Sequence, residues 1–248
     1  MTSTAALLLI AAASLATSFV SGILGMAGGM ILMGLLLALL PVPAAMLLHG
    51  VSQLAANGWR AVLLGREVDW RVVRGFALGA TLALAAFAAL RFVASKPMAL
   101  MLMGASTFAG MALPAGLRLN VERRGHPFAC GLVATSIALA AGVSGPILDL
   151  FFVHSKMGRH RVVATKATVQ SLSHVLKIGY FGSVAAASAS VVPAWLVALV
   201  VALAFAGTLL SRRVLDRISD GSFRAWTRWT VGILGGTYLA LGLLAAAR

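Results

Sequence analysis

Apolar residues run along this chain in ten stretches, near 5–21, 30–40, 44–64, 72–93, 97–114, 128–141, 146–155, 162–183, 192–211 and 226–247. A helix needs about 20 residues to cross roughly 30 Å of hydrocarbon, and most of these stretches approach that length. The stretches at 30–40 and 146–155 are too short to cross alone. Each follows a glycine-rich break, GMAGG at 25–29 and GVSGP at 142–146. Broken helices at matching places in two halves of a membrane chain mark a transporter binding site. Each broken unit, 5–40 or 128–155, either crosses once as a bent helix or returns to its own side as a re-entrant hairpin.

Composition removes the soluble alternatives. The 248 residues are 60% hydrophobic and only 10% charged, with a mean hydropathy of +0.98, whereas soluble domains carry about 25% charged residues. The formal charge of +14 sits between apolar stretches, without interleaved stacking aromatics, so it reads as membrane-loop charge and not as a nucleic-acid site. Cys130 is the single cysteine, which excludes an internal disulfide and CxxC redox chemistry. The first stretch has no basic region before it and runs past any cleavage site, so it reads as a retained span. No cofactor, metal or catalytic residue is expected.

Loop charge chooses between the two forms of the broken units. If each unit crosses once, Lys and Arg divide almost evenly between the two sides. If each returns, Arg91, Lys96 and Arg248 share one face, and Arg66, Arg71, Arg74, Arg118, Arg123, Arg124, Lys156 and the remaining loop arginines share the other. Cytoplasmic loops carry such an excess. Hairpins with both termini outside are therefore expected, in an all-α polytopic membrane protein. It would have two inverted repeats, 1–116 and 128–248, each a re-entrant or broken hairpin plus three transmembrane helices. The segment 117–127 would be a basic cytoplasmic linker.

An offset of 117 residues aligns the halves. It places Gly25 on Gly142, Gly28 on Gly145, Gln53 on Gln170, Asn57 on His174 and Arg60 on Lys177, with His49 on Lys166. At 100° per residue, His49, Gln53, Asn57 and Arg60 fall within roughly 80° of arc on one helix face. Lys166, Gln170, His174 and Lys177 repeat that stripe. Donor-rich stripes with positive charge suit an anion's oxygens, and ionisable groups inside a membrane usually line a pathway. The plainer alternative is interhelical hydrogen bonding, with Arg60 and Lys177 snorkelling at span ends.

At the breaks, half-helices starting after GMAGG and GVSGP would point their free amides and positive dipole ends at the membrane centre. Gly25, Ala27, Gly28, Gly29, Gly142, Ser144 and Gly145 are the substrate-binding candidates there, with Gln53, Asn57, Lys166, Gln170 and His174. Pro146 suits a first helical position, with Ser144 or Gly145 as cap. Asp149 is the lone acid deep in an apolar stretch. It or a histidine is the candidate proton carrier, with His49, Arg60 and Lys177 as the other coupling or pathway residues, or else Asp149 is the salt-bridge partner of Lys166.

GVSG also matches the GxSG pattern around the nucleophile of rhomboid intramembrane proteases, with His154 or His174 as base. Ala27 stands in the first break where Ser144 stands in the second, so a repeated structural element is the more economical reading. A passive anion channel is the closer rival. The segments SGILGMAGGMILMGLLLALLP (21–41), GLVATSIALAAGVSGPILDLFFV (131–153) and ATKATVQSLSHVLKIGYFG (164–182) resemble the TauE/SafE family of sulfite exporters. That resemblance implies a bacterial cytoplasmic-membrane permease for sulfite, organosulfonates, sulfoacetate or small organic acids. The partners expected are the small anion and membrane lipid, with a homodimer left open and nucleic acid excluded.

Overall fold

The computed structural model of the chain describes residues 4–24, 26–112, 119–187, 192–215 and 220–247. Among these residues it contains α-helices, one 3-10 turn (Gly65–Glu67) and no strand. The helices are α1 (Thr4–Leu24), α2 (Ala27–Leu39), α3 (Val42–Leu63), α4 (Trp70–Leu90), α5 (Lys96–Ala112), α6 (His126–Ala141), α7 (Gly145–Phe152), α8 (Arg159–Ala187), α9 (Ala194–Leu215) and α10 (Asp220–Ala246). Each apolar stretch of the sequence becomes one helix, in order. Among the described residues, four helices are long and apolar enough to cross a membrane: α1, α4, α9 and α10. α3 and α8, at 22 and 29 residues, are long enough but carry the polar stripes. They pack against each other at the centre.

Both broken units fold back. A Cβ on Gly28 would strike the Thr17 carbonyl and Ser21, so the first turn of α2 lies beside the last turns of α1. In a continuous bent helix, residues 17 and 28 would be about 16 Å apart at 1.5 Å per residue. In the second unit the Val121 amide donates to the Phe151 carbonyl at 3.0 Å, and the His126 ring meets Phe151 at 6.4 Å. Asn120 Nδ2 donates to the His154 carbonyl at 2.9 Å. The chain leaves α7 at the end where it entered α6.

The helix breaks differ from the sequence expectation in detail. α2 starts at Ala27 and α7 at Gly145, inside the motifs and not after them. Gly28 and Gly29 are helical because packing against α1 and Gln53 holds them there, overriding their low propensity. Pro146 is the second helical residue, and Ser144 occupies the N-cap position without making a side-chain cap bond. Gly142 ends α6 at φ +84°, a conformation that favours glycine.

Helix pairs recur when α1–α5 is matched to α6–α10. α4 packs on α6 and α9 on α1; α3 packs on α9 and α8 on α4; α2 touches α10 and α7 touches α5. α3–α8 and α5–α10 each map onto themselves under this exchange. Large apolar side chains such as Leu8, Leu78, Leu90, Trp229 and Leu244 face outward, as lipid contact requires. Cys130 is buried and free.

The start of α4 is fixed by Asp69. Its Oδ1 accepts from the Arg71 and Val72 amides at 3.0 and 3.3 Å, its Oδ2 from Arg161 at 2.9 Å, and its own amide donates to Thr165 Oγ1. Burial works to raise the Asp69 carboxyl, but the Arg161 bond, the two amides and Arg161's charge outweigh it and hold the pKa below the usual carboxylate value. A lowered folded-state pKa gives stability that is present above the unfolded value of about 4 and lost as pH falls through the folded one. Asp69→Ala is therefore expected to cost about 1 kcal/mol at pH 7. The melting-temperature gap to wild type should narrow towards pH 3; a gap equal at both pH values would contradict it.

Candidate functional site

The two breaks meet. A Cβ on Gly145 would lie 2.7 Å from Met26 Cβ, and one on Gly142 would press on the Met33 thioether. Between the breaks and the facing stripes of α3 and α8 lies a cavity of about 30 Å³. α2 supplies Gly29 and Met30, α3 His49 and Gln53, the second break Val143 to Pro146, and α8 Gln170 and His174. None of the lining residues is acidic.

Three of these residues hold buried polar atoms without a hydrogen-bond partner: Gln53 Nε2, Ser144 Oγ and His174 Nδ1. An unsatisfied buried polar group costs about 1–3 kcal/mol, so three around one small cavity is an arrangement that packing alone does not favour. The first-turn amides of α2 and α7 lie at the same place, where a helix leaves N–H groups free and its dipole end is positive.

Behind the cavity, one network joins both breaks. Lys177 Nζ, fully buried, lies 2.8 Å from His49 Nδ1 and donates to the Gly142 carbonyl at 2.9 Å. His49 Nε2 lies 2.9 Å from the Gly29 carbonyl. A carbonyl only accepts, so the His49 proton sits on Nε2, and Nδ1 accepts from Lys177. The His174 ring stands edge-on to His49 at 5.9 Å.

The remaining candidates lie outside the cavity. Ala27 and Gly28 are buried in the first turn of α2, facing its packing partners. Asn57 is buried one turn beyond Gln53 and accepts from Arg60 at 3.5 Å. Gly25 falls outside the described residues. Lys166 bonds Asp149, and the Asp149 side chain is 42% exposed. Asp149 is thus the salt-bridge partner and not a buried carboxyl at the tip, and Lys166 directs its charge away from the cavity. His154 is exposed between α7 and α8, and Ser144 Oγ has neither histidine placed on it as a base.

Met26 and Val143, within the two breaks, also line the cavity, and sequence reasoning missed Met30 as a lining residue, and Tyr238. The Tyr238 hydroxyl donates to the Met30 carbonyl at 2.9 Å, tying α10 to α2. A tyrosine inside an apolar stretch, one of only two in the chain, was the available signal, since a buried phenol normally finds an acceptor. Among known protein families, the model described as sulfite exporter TauE/SafE matches residues 9–239. No curated protein and no solved structure matches the chain.

Proposed function

The chain belongs to the sulfite exporter TauE/SafE family, a membrane-transporter family, and from that premise we propose what it carries and how. The substrate is a small oxyanion: sulfite, an organosulfonate such as sulfoacetate, or a related organic acid. It crosses the bacterial cytoplasmic membrane by alternating access around the cavity between the two breaks. The observation that carries this reading is the set of three unpartnered polar atoms, Gln53 Nε2, Ser144 Oγ and His174 Nδ1, at a cavity without an acidic wall. An anion's oxygens accept from Gln53 Nε2 and the Ser144 hydroxyl, from His174 in the tautomer that carries its proton on Nδ1, and from the α2 and α7 amides. Lys177 supplies a cation one residue behind, through His49.

Two inverted repeats fit the paired helix contacts and the fold-back of both units. A hairpin adds no net crossing, so α3–α5 and α8–α10 give each half three crossings and opposite orientation. Arg91 and Lys96 then fall on one side and Arg66, Arg71, Arg124 and Lys156 on the other, which is the cytoplasmic one. The cavity has room for about two waters, too little for a four-atom oxyanion, so the site must widen to take one. The unbranched side chains of Met26 and Met30 give way most easily. Coupling to protons is assigned to His49 and Lys177 and not to the half-exposed Asp149.

Sulfite or a sulfonate should raise the melting temperature of the purified wild type, because a ligand that binds only the folded form stabilises it. Gln53→Leu and Gln170→Leu should remove that response and lower transport in proteoliposomes at least tenfold, with unchanged elution on size exclusion. Normal transport by both variants would refute the pathway. A channel would not accumulate substrate under an imposed proton gradient. Ser144→Ala should lose only part of the activity, where a protease would lose all.

A further inference from the structure

A second and larger cavity, of about 260 Å³, lies where the start of α4 meets the 119–125 connection and the first turn of α6. Arg71, Arg123 and Arg124 line it, together with Val72, Pro127 and Phe128. Two carboxylates share its wall, but both have other partners. Asp69 binds the Arg71 and Val72 amides and Arg161, and Glu122 accepts from the Lys156 amide at 2.6 Å. None of these bonds goes to the guanidinium of Arg71 or Arg124.

The place of this cavity in the membrane follows from α4. Trp70, its first residue, is exposed, and tryptophan at a span end marks the lipid–water boundary. Leu78 and Leu82 are exposed further along, seven and eleven residues after Arg71. Both lie within about 20° of it on the helix face. A cationic rim therefore stands above an apolar floor that continues into the bilayer as an apolar track.

We propose that this cavity binds the headgroup of an anionic phospholipid. The guanidinium forks of Arg71 and Arg124 take the phosphodiester, whose two non-bridging oxygens they can meet bidentately. The acyl chains lie along Leu78 and Leu82. Basic pockets at helix ends are suited to such headgroups, and a soluble phosphate ester would make no use of the floor or the track.

The test uses the full chain in detergent, with melting temperature read against added phosphatidylglycerol, phosphatidylcholine and soluble glycerol phosphate. Phosphatidylglycerol should raise it by several degrees more than phosphatidylcholine, and glycerol phosphate should leave it unchanged. The R71Q/R124Q pair should lose the preference, while R66Q/K156Q, which removes the same charge elsewhere, keeps it. Gln53→Leu should also keep it, separating this site from the transport cavity. Equal response to the two lipids in the wild type would overturn the proposal whether or not the variants fold. So would an equal shift from glycerol phosphate, or loss of the preference in R66Q/K156Q.

Discussion

Lys177→Met is expected to reduce transport at least a hundredfold while leaving a folded, membrane-inserted protein. Lys177 is fully buried, and its ammonium serves His49 Nδ1 and the Gly142 carbonyl together. Methionine is an unbranched side chain one atom shorter and removes every donor. His49 and Gly142 are then left without that partner, at about 1–3 kcal/mol each. Removal of a buried charge offsets part of this, because the desolvation cost of the ion disappears as well. Stability therefore falls by less than the two lost bonds alone would cost, whereas transport loses both the cation beside the proposed anion site and the link between the two breaks. Sulfite counterflow in proteoliposomes, read beside size-exclusion profiles, separates the two effects. Transport within twofold of wild type would remove Lys177 from the mechanism.

Gly131→Leu is expected to abolish the folded protein. A Cβ at Gly131 falls on the Phe76 carbonyl, and one at Gly79 falls on the Phe128 carbonyl, so α4 and α6 touch backbone to backbone at reciprocal glycines. Membrane helices lack a hydrophobic drive to associate and depend on such close approach. Overpacked side chains usually relieve strain by changing rotamer, at a cost of about 1–3 kcal/mol. A carbonyl in a helix has no such freedom, so the cost here exceeds about 3 kcal/mol. The α1–α9 contact has the same construction at Gly207, where a Cβ meets the Leu15 carbonyl. Gly131→Leu that elutes as a single species with the wild-type melting temperature would show that these helices can separate without loss.

The sequence located the helices well because a bilayer imposes one length and one polarity on every span, and ten apolar stretches became ten helices among the described residues. The stripe residues were legible for a similar reason. A polar group that recurs every four residues in an apolar helix must share one face, and Gln53, Gln170, His49 and His174 do reach one cavity. Partner choice was not legible. The 117-residue offset makes Arg60 and Lys177 equivalent, yet one is half-buried against Asn57 and the other wholly enclosed beside His49. The exception is Lys166, which turns to Asp149 in the salt bridge that the sequence offered as the alternative to a proton-carrying Asp149. Glycine misled at the breaks, since its scarcity in ordinary helices suggests a loop while Gly28 is helical for the sake of contact with α1. Tyr238 reaches Met30 across 208 positions of chain, a distance over which no local pattern carries information.

The 2.8 Å gap between Lys177 Nζ and His49 Nδ1 admits a single hydrogen. With Nε2 committed to the Gly29 carbonyl, a second proton landing on the imidazole has nowhere to sit unless the ammonium gives one up or swings aside. If it swings, it lets go of one half of the molecule while still gripping the other at Gly142. Protonation at that one nitrogen would thereby loosen the tie between α3 and the second break, much as a pawl is lifted from its tooth.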